Sequence, residues 1–427
     1  MTRPLRVVGI ADTDSYVKWG AALLGSRPDA IDARMLVLET PLVVSAAQQS
    51  AALTGSGLDS RRVRRVAYDA LAGALSRRQP DAVLLAARGP LVRVLARLVA
   101  AAVPSAVIVT GLPGISIPAT RKALLYRTQC DLFVLHSHRE VREFGELAVE
   151  KGFEQRFALS RLPFAQIGSG PTSGARSTDL VFAAQAVVPL ERADRTRIAR
   201  MLVAAATADP SRRVVVKVRA VKGESQTHAE RDGYPELLGE LGALPSNLVI
   251  SRGPMARALD TAEGLVTVSS TAAIEAVARR IPVIALDTFG VEADLINTVF
   301  RESGLFAHED AVIDRAFRHP EPSWLRDNYF HDPGDDDWIG ALDESVALRR
   351  SGALQRHPPL VRRGGRLRDA WERKQVLGRL DRSAVGCFAL VVGTPLVRVA
   401  RLAAHHPPPA EPAIPTPIRP ALQRSVR

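Results

Sequence analysis

Cysteine is almost missing from this chain: Cys130 and Cys387 are the only two in 427 residues. A disulfide framework and a Cys-rich zinc site are therefore not expected, and the composition suits a reducing cytosol. Aromatic residues make up only 5%, and no RNA- or DNA-binding module is recognisable, so nucleic acid is not an expected partner. Long apolar runs are missing too. The nearest, residues 384–397, has 14 residues and contains Gly386, Gly393 and Pro395, short of the roughly 18 that a membrane span needs. No signal-peptide pattern opens the sequence, because charge within Met1–Arg6 leads straight into a strand-like run, so a cytoplasmic protein is expected. A G-x-G-x-x-G loop after the first strand, a Walker A loop, H-E-x-x-H, G-x-S-x-G and spaced Cys/His sets are all absent. Nicotinamide enzymes, P-loop NTPases, zinc hydrolases and serine hydrolases lose most of their support.

What is present is an ordinary globular balance of 46% hydrophobic and 24% charged residues. A length of 427 suits two domains rather than one. The net charge of +12 is unevenly spread. Residues 349–427 hold 16 Lys/Arg and 4 Asp/Glu, which leaves residues 1–348 with 41 of each sign. The basic character belongs to the end of the chain, either as a solvated helix or as a surface for an anionic partner.

Short apolar runs alternate with helical patterns along residues 1–165. Strands are expected at 5–10, 33–38, 82–86, 106–110 and 132–135, and helices at 14–24, 61–75, 91–102, 119–128 and 139–151. Near-continuous apolar strands alternating with helices indicate a parallel sheet covered on both faces. Residues 166–178, rich in Gly, Ser, Thr and Pro, read as a linker. The alternation restarts over 179–345, with strands at 180–184, 213–218, 248–251, 265–268 and 282–286. The expected fold is α/β: two Rossmann-like domains facing a cleft. A basic helical extension over 346–404 and a disordered, Pro-rich tail over 405–427 should follow.

Ligands of such sheets lie beyond the carboxyl ends of the strands. One strand ends in Val268-Ser269-Ser270-Thr271 and a helix begins at once with Ala272, Ala273 and Ile274. First-turn N–H groups, three hydroxyls and the positive helix end together suit a phosphate, although one hydroxyl would suffice for a plain N-cap. Asp12 and Asp14 follow the first strand. Two carboxylates so placed can face one cleft, one raising the pKa of the other so that it serves as a base. Asp14 or Ser15 would equally cap the following helix.

The hydroxyl-rich strand end, the Ala-rich helix with a central Glu and the following Arg-x-Pro-Val-Ile resemble the nucleotide-sugar half of GT-B glycosyltransferases. They are similar to capsule-type sialyl- and polysialyltransferases and glycerophosphotransferases. With residues 11–19 (ADTDSYVKW) and 135–140 (LHSHRE), the chain also resembles, over roughly residues 5–345, an uncharacterised actinobacterial family described as putative glycosyltransferases. The resemblance implies that Ser269, Ser270 and Thr271 hold the donor phosphate; of the two carboxylates after the first strand, Asp14, with Asp12 second, is the expected catalytic base. The resemblance also implies a nucleotide sugar as substrate, no other cofactor and no metal. Lys217 and Arg219 stand where the sialyltransferase relatives carry a His-Pro pair. Arg219 is no general acid, since its pKa exceeds about 12, but it would stabilise a leaving phosphate by charge.

Further candidates follow other strands. Ser251, Arg252 and Gly253 form a turn suited to the donor base. His136 is a candidate on the acceptor side, beside a Ser137–Glu140 capping box. Gly111 and Gly114 would either leave room for a sugar or simply form a turn. The acidic run Asp332, Asp335, Asp336 and Asp337 lacks calcium-loop spacing and is not expected to hold metal. Residues 349–382, with 11 basic and 3 acidic residues, would either rest on an anionic membrane or pack on the first domain. The reading is an inverting transferase using a glycan or lipid-linked acceptor, serving cell-envelope polysaccharide synthesis. A nucleotide-sugar 2-epimerase and a non-catalytic glycan-binding or assembly protein are the alternatives.

Overall fold

The computed structural model describes residues 3–162, 165, 177–218, 232–358 and 365–390. The first sheet has seven parallel strands in the order β3-β2-β1-β4-β5-β6-β7. They are β1 (Leu5–Ala11), β2 (Ile31–Leu38), β3 (Val63–Val66), β4 (Ala82–Ala86), β5 (Val107–Gly111), β6 (Leu132–Leu135) and β7 (Phe157–Leu159). The second sheet has six parallel strands in the order β10-β9-β8-β11-β12-β13. They are β8 (Asp179–Ala183), β9 (Val214–Lys217), β10 (Leu248–Ser251), β11 (Ala262–Thr267), β12 (Val283–Leu286) and β13 (Phe306–Ala307). The two Rossmann-like α/β domains expected from the alternation are therefore present.

The physical basis is in the strand composition. Every residue of β4, β5, β6, β8, β9 and β12 is buried. Runs such as Ala82-Val83-Leu84-Leu85-Ala86 are apolar on both sides because helices cover both faces of a parallel sheet. Each fully buried Leu or Val there contributes roughly 1.5–3 kcal/mol. The edge strand β3 is different: Arg64 and Arg65 are exposed, which blunts the edge against further pairing. The sequence pattern predicts one helix over 61–75, whereas the structure has β3 followed by a helix over Tyr68–Arg78. A four-residue strand preceding a helix of similar polarity leaves too little period to separate them.

The chain then returns to the first domain. The helix Trp338–Arg350 packs on β5, β6 and β7, not on the second sheet. Arg349 pairs with fully buried Asp131 at 2.5 Å. An end at residue 345 for the second domain thus falls inside a helix that belongs to the first sheet. The acidic run fixes this return. Asp337 accepts from Leu159 N–H at 2.6 Å, Asp336 accepts from Arg161 N–H at 2.7 Å and from His331 at 3.0 Å, and Asp335 pairs with His138 at 3.0 Å. The helix Gly365–Leu377 packs on the helix Gly89–Ala102, where Glu372 meets Arg93 and Arg97, and Asp369 meets Arg97. The expected linker lies almost wholly, and the Pro-rich tail entirely, outside the described residues. Among the described residues, no helix is long and apolar enough to cross a membrane.

Candidate functional site

The candidate site is where the carboxyl ends of the two sheets meet. In an open α/β sheet the crevice forms where strand order reverses, because the neighbouring loops leave toward opposite faces. That reversal falls between β1 and β4 in the first sheet and between β8 and β11 in the second. Two contacts join the lobes there. Lys18, on the helix Asp14–Gly25, reaches Glu275 on the helix Ala272–Ala278 at 2.8 Å. Gly114, beyond β5, lies so close to Thr271 that a Cβ there would stand 2.8 Å from Thr271 Oγ1. The helix start of the second domain therefore faces the first domain.

In the first crevice, Asp12 is fully buried one residue past β1. Arg88 Nε donates to Asp12 Oδ2 at 2.7 Å, and the Arg88 backbone N–H donates to Oδ1 at 3.3 Å. Burial, opposed by Arg88, holds the Asp12 carboxyl above its ordinary pKa. Asp14 is instead the exposed first residue of its helix. The expected pair of mutually repelling carboxylates is thus replaced by one carboxylate locked to an arginine and another at the surface. Asp12, with a cation already on it, is the poorer base. Asp14 precedes Lys18 by four residues, so both lie on the helix face turned to the second domain.

In the second crevice the lock is neutral. Gln185, two residues past β8, accepts from Ser269 N–H at 2.9 Å and donates Nε2–H to Ser269 Oγ at 3.0 Å. Ser270 Oγ accepts from Ala272 N–H at 3.2 Å, and Ser270 N–H donates to Thr267 Oγ1 at 3.1 Å. Two of the three expected phosphate hydroxyls are therefore engaged within the protein. Thr271 is the exception. It is half-buried at the N-cap, and its hydroxyl has no hydrogen-bond partner among the described residues.

Other candidates take other places. His136 is fully buried: its Nε2 accepts from Trp19 Nε1–H at 2.7 Å, and its Nδ1–H donates to Ser160 O at 2.7 Å. Burial lowers its pKa and keeps the ring neutral. With both nitrogens committed, His136 holds the first helix to the sheet and does not meet an acceptor. The capping box forms by half. Ser137 Oγ accepts from Glu140 N–H at 3.0 Å, but the Glu140 carboxylate goes to His136 N–H, Ser116 N–H and the Tyr329 hydroxyl. Gly111 makes room for an indole, not a sugar, since a Cβ would lie 2.3 Å from the Trp19 ring.

Lys217 is buried at the end of β9 and donates Nζ–H to Val218 O at 2.5 Å. Arg219 lies outside the described residues. Ser251 ends the edge strand β10, two strands from the crevice, and Arg252 and Gly253 follow it, both exposed. A cavity of about 450 Å³, lined by His138, Arg142, Leu159, Asp335 and Asp337, lies off the crevice at the β7 edge. Arg88 and Gln185 carry no mark in the sequence, and Lys18 and Glu275 stand out there only as parts of the runs that carry the family resemblance. Arg88 and Gln185 each follow a strand by two residues, at the one pair of strands per sheet where order reverses. That signal becomes usable only once strand order is known.

Fold and site together define a protein of the GT-B-like class: two Rossmann-like domains with their strand ends opposed across a cleft. The chain belongs to the family described as "Putative glycosyltransferase (DUF6716)", whose model matches residues 7–345. No curated protein matches it. Among solved structures it is similar to the UDP-GlcNAc 2-epimerase of Methanocaldococcus jannaschii in complex with UDP-GlcNAc and UDP. Identity there is 10%, TM-score 0.55, covering 80% of this chain and 99% of the other. A putative UDP-N-acetylglucosamine 2-epimerase of Listeria monocytogenes has TM-score 0.54 and 10% identity, covering 84% and 99%. A mutant O-GlcNAc transferase of Thermobaculum terrenum has TM-score 0.41 and 16% identity, covering 94% and 68%. For the two epimerases the likeness is one of fold alone.

Proposed function

We propose that the protein transfers a sugar from a nucleotide-sugar donor, held by the second domain, to a hydroxyl of an acceptor at the first. The observation that carries this reading is the Thr271 helix start, whose hydroxyl has no partner among the described residues and which faces the other lobe across Gly114. Thr271 Oγ1 donates to the donor phosphate, and the positive end of the short helix adds to it. Asp14 takes the acceptor proton as the hydroxyl oxygen bonds to the anomeric carbon. The bond from that carbon to the phosphate oxygen breaks, and the nucleotide leaves with the electron pair. A single displacement of this kind inverts the anomeric centre. The donor is a UDP-sugar in this reading, after the UDP carried by the epimerase of like fold.

The acceptor is a glycan or lipid-linked hydroxyl of the cell envelope. Residues 349–382 would bring the enzyme to an anionic membrane: the helix Gly365–Leu377 is docked on the first domain, yet Leu367 and Leu380 remain exposed beside arginines. A nucleotide-sugar 2-epimerase would need a His and carboxylates in the cleft, and His136, buried and bonded to Trp19 and Ser160, is not free for that role.

Calorimetry with UDP, CMP, GDP and dTDP tests the donor site. UDP should bind, and Thr271→Val should weaken it about tenfold, the loss of one charge-assisted hydrogen bond. Equal affinity in wild type and variant overturns the site. Asp14→Asn should keep UDP binding while abolishing transfer; retained transfer removes Asp14 as base. An epimer formed from UDP-N-acetylglucosamine alone would favour the alternative.

A further inference from the structure

The first-domain crevice carries more positive charge than its own buried carboxylate balances. Arg88 is held end-on: Nε–H and the backbone N–H both go to Asp12. Its two terminal nitrogens have no hydrogen-bond partner among the described residues, and its side chain is 32% exposed. Arg127 lies nearby, 2% exposed, and no acidic side chain pairs with it among the described residues. It donates to the Tyr16 hydroxyl and the Gly111 carbonyl, both at 3.3 Å, and sits over the Phe133 ring. Tyr16 feels the charges of Arg127, Asp12 and Arg88 alike, which puts two guanidiniums and one buried carboxylate within one neighbourhood.

Place adds to charge. Arg88 follows β4, between the loop after β1, which bears Asp12 and Asp14, and the loop after β5, which bears Gly114. It therefore stands in the crevice where the acceptor must approach the donor. A guanidinium whose inner edge is fixed by a carboxylate presents its outer fork without further loss of side-chain freedom. That fork matches the paired oxygens of a phosphate or carboxylate.

We propose that the acceptor is anionic and that Arg88, oriented by Asp12, receives its phosphate or carboxylate group. The inference rests on the transferase reading for the word acceptor, but the anion site itself does not. Asp12 is here a positioning residue, and Arg127 supplies charge from behind.

The test is a footprint on the full chain. Phenylglyoxal modifies exposed arginines, and peptide mass spectrometry reads the rate at Arg88. Inorganic pyrophosphate should slow that rate several-fold, and maltose should not. The protection should persist in Thr271→Val. An unchanged rate overturns the proposal, and so does protection that vanishes in Thr271→Val, because the anion then sits on the second domain. Soluble glycerol phosphate and phosphatidylglycerol vesicles serve as further arms: protection by the first marks a free phosphate end, and by the second a lipid headgroup. In a pyrophosphate titration, Arg88→Gln with Asp12→Asn should lose about tenfold in affinity; the double change avoids leaving Asp12 buried without a partner. Failure to bind any nucleotide would remove the transferase reading and leave the footprint result standing.

Discussion

The two lobes share a strand order and differ in what closes it. Each sheet reverses at its first and fourth strands, and in each the loops past those strands are tied together. In the first lobe the tie is ionic, Arg88 on buried Asp12. In the second it is an amide on a hydroxyl, Gln185 on Ser269. An ionic lock holds a cation ready at the crevice and makes that crevice selective by charge. The neutral lock adds no carboxylate of its own at the Thr271 helix start, where the one first-turn acid, Glu275, is paired with Lys18. The same fold thus closes its two crevices with ties of different charge.

Substitutions sharpen this contrast. The largest effect is expected from Arg88→Ala, which strands a buried carboxylate. It should cost about 3 kcal/mol in urea denaturation, most of it recovered when Asp12→Asn is added. Equal stability of the single and double variants would show that the lock is not ionic in effect. Next comes Gly111→Ala, whose methyl group would meet the Trp19 ring; a loss of about 1–3 kcal/mol should appear as a lowered urea midpoint. Gln185→Ala, which breaks the neutral lock, should cost about 1 kcal/mol by the same measurement. Lys18→Ala removes a partly exposed ion pair between the lobes and should change stability by no more than about 0.5 kcal/mol.

A pH profile separates the locks in another way. The Asp12 carboxyl is held above its ordinary value, so the folded chain takes up that proton more readily than the unfolded chain. Its contribution then favours the folded state increasingly as pH falls toward the ordinary carboxylate range, and is lost as pH rises through the folded value. Asp12→Asn should therefore lose stability more steeply than wild type between pH 7 and 4. Gln185→Ala, with no titrating group removed, should run parallel to wild type.

Most of the fold was legible because its signal is local. Runs such as residues 82–86 and 132–135 have no polar position, and only a sheet covered on both faces buries such runs. The hydroxyl-rich strand end at Ser269 to Thr271 was equally plain, as was the cap at Ser137. The roles of individual residues were less so. Ser269 and Ser270 look alike to Thr271 in sequence, but the first two are claimed by Gln185 and by the helix itself. His136 reads as a site residue until Trp19, more than a hundred positions away, takes its ring nitrogen.

By itself, then, the order of residues determined the alternation of strands and helices, the division into two α/β units and the place of the phosphate-type helix start. These depend on period and composition within a dozen residues. The tertiary structure alone decided which polar groups are free to meet a substrate. A hydrogen bond between residues far apart in the chain, such as Arg88 with Asp12, or a close approach such as Gly114 to Thr271, exists only once strand order is set. It is that pairing, more than residue type, that leaves the Thr271 hydroxyl and the terminal nitrogens of Arg88 without a partner among the described residues.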